Sequence, residues 1–141
     1  MFNEKSFESR LVVWSEFRSS LEKSKTPLQD VVNFYNKIEL SSQRYDPWDE
    51  DNWPTPWTLI FENKYCAFTL ALGMCYSLKL MDRYADTEIK LVILKDDNLQ
   101  TKYATLIDDN ILGIDNDIHL MDNISNKISI LKEFVICSSI H

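Results

Sequence analysis

The stretch that decides the fold is residues 52–81, which read NWPTPWTLIFENKYCAFTLALGMCYSLKLM. Its second part, residues 66–81, is apolar on almost every side, and Lys79 interrupts it. A helix that is apolar all round must be enclosed by other elements or by lipid. Because the apolar run is shorter than the roughly 20 residues that a bilayer span needs, we expect a central buried helix and not a membrane span.

Two further helices are predicted ahead of this stretch. Apolar residues spaced three and four apart over residues 4–23 indicate an amphipathic helix on the surface of the core. Thr26 and Pro27 then form a helix start, with Thr26 as the cap and Gln29 completing a capping box. We expect this second helix to end at about Lys37.

The second half of the chain reads as strands. Strands are predicted at residues 89–95, 102–107 and 111–114, separated by turns rich in Asp and Asn. Further strand pieces are expected at 128–131 and 133–137, although the first of these also fits the end of a short helix. Short polar connections of this kind predict an antiparallel meander.

Helices first and strands afterwards are the order of an α+β domain. At 141 residues the chain is long enough for one domain with a real core, and no internal repeat or linker divides it. We therefore expect a single domain over residues 1–141. Its parts are an N-terminal helical part (1–45), a Trp- and Pro-rich segment (46–65), the core helix (66–81) and the antiparallel sheet (88–137).

Composition limits the partners and the compartment. The chain is acidic, with a net charge of −7, whereas nucleic acids and anionic membranes are held by clustered Lys and Arg, so we expect neither partner. The first ten residues, MFNEKSFESR, mix charges where a signal peptide needs an apolar core, which argues against secretion by that route. Three cysteines without a CxxC pattern, with two histidines, favour neither a disulfide scaffold nor structural zinc, and we expect no cofactor.

The run DPWDED at residues 46–51 is a predicted loop. Its four carboxylates could ligate calcium, but the ligand spacing of an EF-hand and its turn glycine are missing, so we predict a solvated acidic loop and no metal site. Thr55 and Pro56 then repeat the pattern of cap followed by proline and start a short helix that reaches about Phe61.

Trp48, Trp53 and Trp57 surround this proline-rich corner. Such a group can grip a sugar or a peptide, or form an interface centred on aromatic anchors. The alternative is that Trp53 and Trp57 pack the short helix onto the core. Trp48, which is flanked by acids, is the better candidate for a contact with another molecule.

Cys66 is expected at the N-terminus of the core helix, where the helix dipole and backbone N–H groups can stabilise a thiolate. A base and an orienting carboxylate would then have to come from the sheet. Cys75 lies about two and a half helical turns further on, so we expect its thiol on the opposite side. Cys75 and Cys137 are interpreted as small apolar core residues.

These residues resemble the bacterial transglutaminase-like cysteine proteinases, in which a W-x-T-P-x-E-x-L segment precedes G-x-G-D-C-E-D at the head of the core helix. The matching positions are residues 53–56, Leu59, Cys66, Tyr76 and Leu78. The predicted strands also resemble those of the family, ending in the L-D-N-like run at residues 111–116. The resemblance covers residues 53–116 and implies a transglutaminase-like, papain-like fold, in which Cys66 and Asp115 correspond to the family's thiol and acid.

The chain departs from this family at the position of the base. Where the catalytic histidine belongs, near the start of the second strand, the sequence is Lys102-Tyr103-Ala104. Tyrosine has an ordinary pKa near 10, so Tyr103 is a poor base at neutral pH. His119 is the internal alternative, but it follows Asp115 and so breaks the family's order of Cys, His and Asp.

The family's acids around the cysteine are missing as well, because the flanking residues are Tyr65, Ala67 and Phe68. A second resemblance covers residues 46–57, 72–74 and 76–78, which are similar to small uncharacterised proteins encoded by large tailed phages. It implies a phage particle or an infected host cell as the setting.

Three functions are compatible with these patterns. We expect first a pseudoenzyme, a transglutaminase-like scaffold that serves as a phage structural or assembly protein through protein-protein contacts, in the virion or in the host cytoplasm. The second is a cysteine hydrolase or acyltransferase with Cys66 as nucleophile, Asp115 as orienter and Tyr103 or His119 as base. The third is an intracellular binding protein whose acidic surface docks a basic partner and modifies a host process.

Overall fold

The computed structural model describes residues 3–137. Within this range no helix has the length and apolar character needed to cross a membrane. Short 3-10 helices occur at Glu50–Asn52 and Asp82–Tyr84. The other elements, in chain order, are α1 (Phe7–Lys23), α2 (Pro27–Asn36), α3 (Pro56–Glu62), α4 (Ala67–Lys79), β1 (Ile89–Asp96), β2 (Thr101–Ile107), β3 (Asn110–Ile114), β4 (Asp117–Leu120), α5 (Met121–Ile124) and β5 (Ile128–Val135).

The strands form one antiparallel sheet in the order β4-β3-β2-β1-β5. The first four strands follow one another as a meander, and β5 returns to pair with β1 at the opposite edge. The predicted α+β class, with helices first and an antiparallel sheet afterwards, is confirmed.

Helix α4 is the centre of the core, as its all-round apolar sequence predicts. On one side it meets α2 closely, because Gly73 has no side chain: a Cβ added there would lie 2.8 Å from Cε1 of Tyr35. The Tyr35 hydroxyl lies 2.8 Å from the Oγ of Ser77, and Nε1 of Trp14 donates to the same oxygen at 2.9 Å. These buried hydrogen bonds tie α1 and α2 to α4.

The opposite side of α4 packs on the sheet. The Thr105 hydroxyl of β2 donates to the carbonyl of Ala71 at 3.0 Å and lies 3.3 Å from Sγ of Cys75. The far face of the sheet carries a second, smaller apolar cluster, which α5 helps to cover through Ile124. The two faces of the sheet therefore carry apolar clusters of different size, and the helices pack on the face with the larger cluster.

The predicted helix starts have different outcomes. Thr55 caps α3 as expected, because its Oγ1 accepts from the N–H of Thr58 at 3.2 Å. Helix α2 begins where predicted, with Thr26 as the N-cap residue and Pro27 as the first helical residue. The Thr26 side chain, however, makes no capping bond, and its hydroxyl donates to Asp30 Oδ1 at 3.0 Å. Gln29, the expected partner in the capping box, pairs with Asn33.

The end of the sheet also differs from the prediction. β4 was not predicted, because it has four residues and only two of them are apolar. The two expected pieces at 128–131 and 133–137 form one strand, β5, whose register with β1 shifts between Ile93 and Leu94. The helical alternative for the first piece is therefore wrong. Cys137 is exposed and not a core residue, whereas Cys75 is buried as predicted.

Candidate functional site

Cys66 is the N-cap residue of α4, as the sequence indicates. Its backbone N–H donates to Oγ1 of Thr69 at 2.9 Å, and its Sγ lies 3.5 Å from the same oxygen. The side chain is covered, with the residue 5% exposed. The thiol is therefore at a helix N-terminus, but it is enclosed by protein and contacts a hydroxyl of its own first turn.

Tyr103 on β2 packs against the first turn of α4, which follows Cys66. Its ring packs edge-on against Phe68 of α4, with centroids 5.7 Å apart. Burial, followed by the negative charges of a Cys66 thiolate and of Asp46, raises the pKa of Tyr103 above its ordinary value. The Tyr103 hydroxyl consequently keeps its proton at neutral pH, so it can donate a hydrogen bond but is not poised to take a proton from the thiol.

Asp115 lies in the turn between β3 and β4, where it and Asn116 both have positive φ angles, 55° and 59°. Such angles are typical of the tight turn that joins two antiparallel strands, and Asp and Asn tolerate them. The Asp115 side chain is 73% exposed, and its Oδ1 lies 3.7 Å from Nζ of Lys102. Lys102 also pairs with Asp96 at 3.4 Å. The partner of Asp115 is thus a lysine.

His119 lies on β4, directly across from Ile111 of β3. Residues paired in this way project on the same face of a sheet, and Ile111 belongs to the apolar cluster on the far face. The His119 Nε2 lies 3.2 Å from the carbonyl oxygen of Ile114. The sheet therefore separates His119 from α4 and Cys66. Of the four candidates, Tyr103 and Asp115 line one groove beside the first half of α4.

This groove has a volume of about 410 Å³. The first half of α4 forms its floor, and the β3–β4 turn forms one rim. Asn36 at the end of α2 closes that rim by donating from Nδ2 to the carbonyl of Asn116 at 2.9 Å. Sequence reasoning missed Asn36, because nothing in the local pattern indicates that α2 meets this turn. The principal lining residues are Asn36, Leu40, Ala67, Leu70, Met74, Lys102, Tyr103, Asp115 and Asn116.

The three tryptophans have separate positions. Trp53 packs on Phe134 and Phe68, with ring centroids 4.8 and 5.4 Å away. Trp57 meets Trp14 edge-on at 5.5 Å. Both therefore pack against buried aromatic residues of the core, whereas Trp48 is about half exposed in the acidic loop.

Comparisons with known proteins identify the fold. No family model and no curated protein matches the sequence. Among solved structures, the chain is similar to calcium-bound LapG from Legionella pneumophila, with a TM-score of 0.73 and 15% identity over 93% of this chain and 77% of that one. The chain has the transglutaminase-like, papain-like fold. The fold that residues 53–116 implied is confirmed, and an identity this low shows the fold alone.

The calcium in LapG prompts a test of whether this chain offers a metal site. Among residues 3–137, no three His, Cys, Asp or Glu side chains are grouped so that they could hold a metal ion. Acids of the 46–51 loop bond within the loop: Asp46 accepts from the N–H of Trp48 at 2.9 Å, and Asp49 accepts from Nδ2 of Asn52 at 2.6 Å. The side chains within residues 3–137 therefore do not fit a bound calcium ion.

Proposed function

We propose that this protein is a non-catalytic transglutaminase-like scaffold that acts through contacts with other proteins. The observation that carries the proposal is that Tyr103, at the strand position where the resembled family carries its base, packs on Phe68 in the first turn of α4, and burial raises its pKa further. A cysteine nucleophile needs a proton acceptor beside it, and a tyrosine that holds its own proton at neutral pH cannot serve as one. Within residues 3–137 the histidine is His119, which lies beyond the sheet.

The surroundings of Cys66 support the same conclusion. The residue is almost fully covered, and its backbone and side chain both contact Thr69, which is itself buried. Tyr103 in turn packs on Phe68, in the first turn of α4. The two positions where the resembled family carries its thiol and its base thus make packing contacts here.

A thiol-labelling experiment tests this proposal. With iodoacetamide at neutral pH, the exposed Cys137 should react first and serve as an internal reference, while Cys66 should react as slowly as the buried Cys75. In urea all three should react at similar rates. Labelling of native Cys66 faster than Cys137 would overturn the proposal, because it would require an activated thiolate.

A pair of substitutions at Tyr103 sharpens the test. Tyr103→His places an imidazole on the strand beside Cys66, and Tyr103→Phe removes the hydroxyl without adding a base. We expect faster labelling of Cys66 in Tyr103→His and no change in Tyr103→Phe. If Tyr103→Phe slowed the labelling of Cys66, the tyrosine would be acting as the base, contrary to the proposal.

The finer form of the proposal places the scaffold in a phage, as a structural or assembly protein of the virion or of the infected host cytoplasm. Its support is the resemblance of residues 46–57, 72–74 and 76–78 to small uncharacterised proteins of large tailed phages. The partners would then be other phage structural proteins. Mass spectrometry of purified particles should detect the protein at levels comparable to known structural components, and its absence from them would refute the virion role.

The alternative is a cysteine hydrolase or acyltransferase. The fold favours it, since LapG has the fold of a transglutaminase-like cysteine protease, and so does the place of Cys66 at a helix N-terminus. Cys66 would be the nucleophile and Asp115 the orienting acid. Hydrolysis of a peptide or ester that is abolished by Cys66→Ser and unaffected by Cys75→Ser would establish this alternative.

A further inference from the structure

The loop at residues 46–51 exposes an aromatic side chain that the core does not use. Trp48 is 52% exposed, whereas Trp53, five residues later, packs on Phe134. Tryptophan is the residue most enriched in the energetic centres of protein interfaces, together with Tyr and Arg. Trp48 is therefore a large apolar surface placed where a second molecule can reach it.

The backbone beneath Trp48 is held by hydrogen bonds on both sides. Asp46 accepts from the N–H of Trp48 through Oδ1 at 2.9 Å, and its carbonyl accepts from the N–H of Asp49 at 3.1 Å. The Trp53 indole N–H donates to the carbonyl of Pro47 at 3.1 Å and so anchors the loop to the core. Because the loop is ordered before a partner arrives, binding loses little conformational entropy.

The charges beside Trp48 indicate what this surface fits. Glu50 and Asp51 are exposed, and no Lys or Arg in the described part of the chain forms an ion pair with either of them. An indole face attracts a guanidinium or ammonium group, and neighbouring carboxylates attract further cations. Negative charge next to an exposed indole is thus complementary to a basic segment of polypeptide.

We propose that the 46–51 loop docks a basic segment of a partner protein, with an arginine or lysine over the ring of Trp48 and adjacent cations held by Glu50 and Asp51. Arginine is preferred to lysine, because its planar guanidinium stacks on an aromatic ring and is less strongly hydrated. The inference rests on the proposed function, in that it names the chemistry of one partner of the scaffold.

Calorimetric titration of the full chain with a short oligo-arginine peptide tests this site. Trp57 supplies the matched control: it is also exposed, and no acid lies within three residues of it in the sequence. Trp48→Ala should weaken the binding about fivefold, the size expected for a lost cation–π contact, and Trp57→Ala should weaken it less than about twofold. Trp48→Phe should lie between wild type and Trp48→Ala, and circular dichroism should show that each variant is folded.

The acids are tested with the double variant Glu50→Gln, Asp51→Asn, which keeps the side-chain shapes. It should bind the arginine peptide more weakly than wild type, with a smaller dependence on salt concentration, and an oligo-lysine peptide should bind wild type more weakly than oligo-arginine does. Binding that is absent, or that is equally strong in Trp48→Ala, would overturn the proposal, because the attraction would then come only from the net charge of −7.

Each of the two proposals can be refuted by its own experiment without affecting the other. A rapidly labelled Cys66 would refute the non-catalytic assignment and leave the docking loop in place. Loss of arginine binding would refute the docking loop and leave the labelling of Cys66 unchanged.

Discussion

The two cysteines of the central helix segment lie in regions that are built differently. Around Cys75, in the middle of α4, small residues allow close approach: Gly73 admits the ring of Tyr35, and Ser77 binds its hydroxyl. Around Cys66, at the N-terminus, Thr69 bonds to the cysteine and Tyr103 packs on Phe68 of the same turn. The middle is held by close packing and by buried hydrogen bonds to other elements, whereas Cys66 bonds to a residue of its own helical turn.

Among single substitutions, the largest loss of stability should come from a truncation in the middle of α4. Leu72 is fully buried, so Leu72→Ala should lower the free energy of unfolding by about 3 kcal/mol, through lost burial and the cavity left behind. Leu70 is the matched control, because it is partly exposed at the groove, and Leu70→Ala should cost about 1 kcal/mol. Urea unfolding measures both, and equal losses would show that the groove wall is packed as tightly as the core.

A smaller effect is expected from Gly73→Ala. The added Cβ would lie 2.8 Å from Cε1 of Tyr35, whose ring is buried and held by Ser77. Overpacking of this kind costs about 2 kcal/mol, which outweighs the roughly 1 kcal/mol gained in helix propensity. We expect a net loss of stability in urea unfolding. An unchanged or higher stability would show that α2 and α4 can move apart enough to admit the added methyl group.

Alkaline pH should also lower the free energy of unfolding, through the buried thiol of Cys75 in the middle of α4. Burial raises the pKa of Cys75 from 9.0 to about 12. Above pH 9 the unfolded chain releases this proton while the folded chain keeps it, so stability is fully present below pH 9 and is lost as the pH rises towards 12. The decline attributable to this group approaches about 1.4 kcal/mol per pH unit.

Cys75→Ser isolates this contribution, because serine does not titrate in that range and can still bond to Thr105. Its unfolding free energy should fall less steeply with pH than that of wild type between pH 9 and pH 12. Parallel curves for the two proteins would show that Cys75 ionises equally in both states.

The smallest effect is expected at the N-terminus, from Cys66→Ser. Serine is a preferred N-cap residue, and its hydroxyl can occupy the place of the sulfur next to Thr69. The unfolding free energy should change by less than about 1 kcal/mol. A loss as large as that of Leu72→Ala would remove the contrast between the N-terminus of α4 and its middle, since the sulfur would then be a tightly packed core atom.

Local patterns predicted most of the elements. The helical spacing of residues 4–23 and the all-round apolar run before Met81 gave α1 and α4, and alternating runs gave the first three strands. Prediction placed the start of α2 at Thr26 and Pro27 correctly but failed on the capping bond, which the Thr26 side chain does not make. It also missed β4, whose four residues carry too short a pattern to separate strand from loop.

The candidate site was predicted in part. The cap position of Cys66 follows from the turn before the apolar run, and Tyr103 follows from aligning the second strand with the resembled family. The packing of Tyr103 on Phe68, the pairing of Asp115 with Lys102 and the groove closed by Asn36 depend on chain segments that are distant in sequence. No local sequence pattern predicts contacts between such distant segments.

The sequence by itself determined which residues form helices and strands, that α4 must be enclosed, and that no histidine follows Cys66 at the position of the resembled family. Only the tertiary structure decided that Tyr103 packs on Phe68 in the first turn of α4, that His119 lies on the other face of the sheet, and that Trp48 faces solvent while Trp53 packs on Phe134. The physical reason is that periodicity and capping act over a few residues. Which face a side chain occupies depends on strand register and on packing between distant segments.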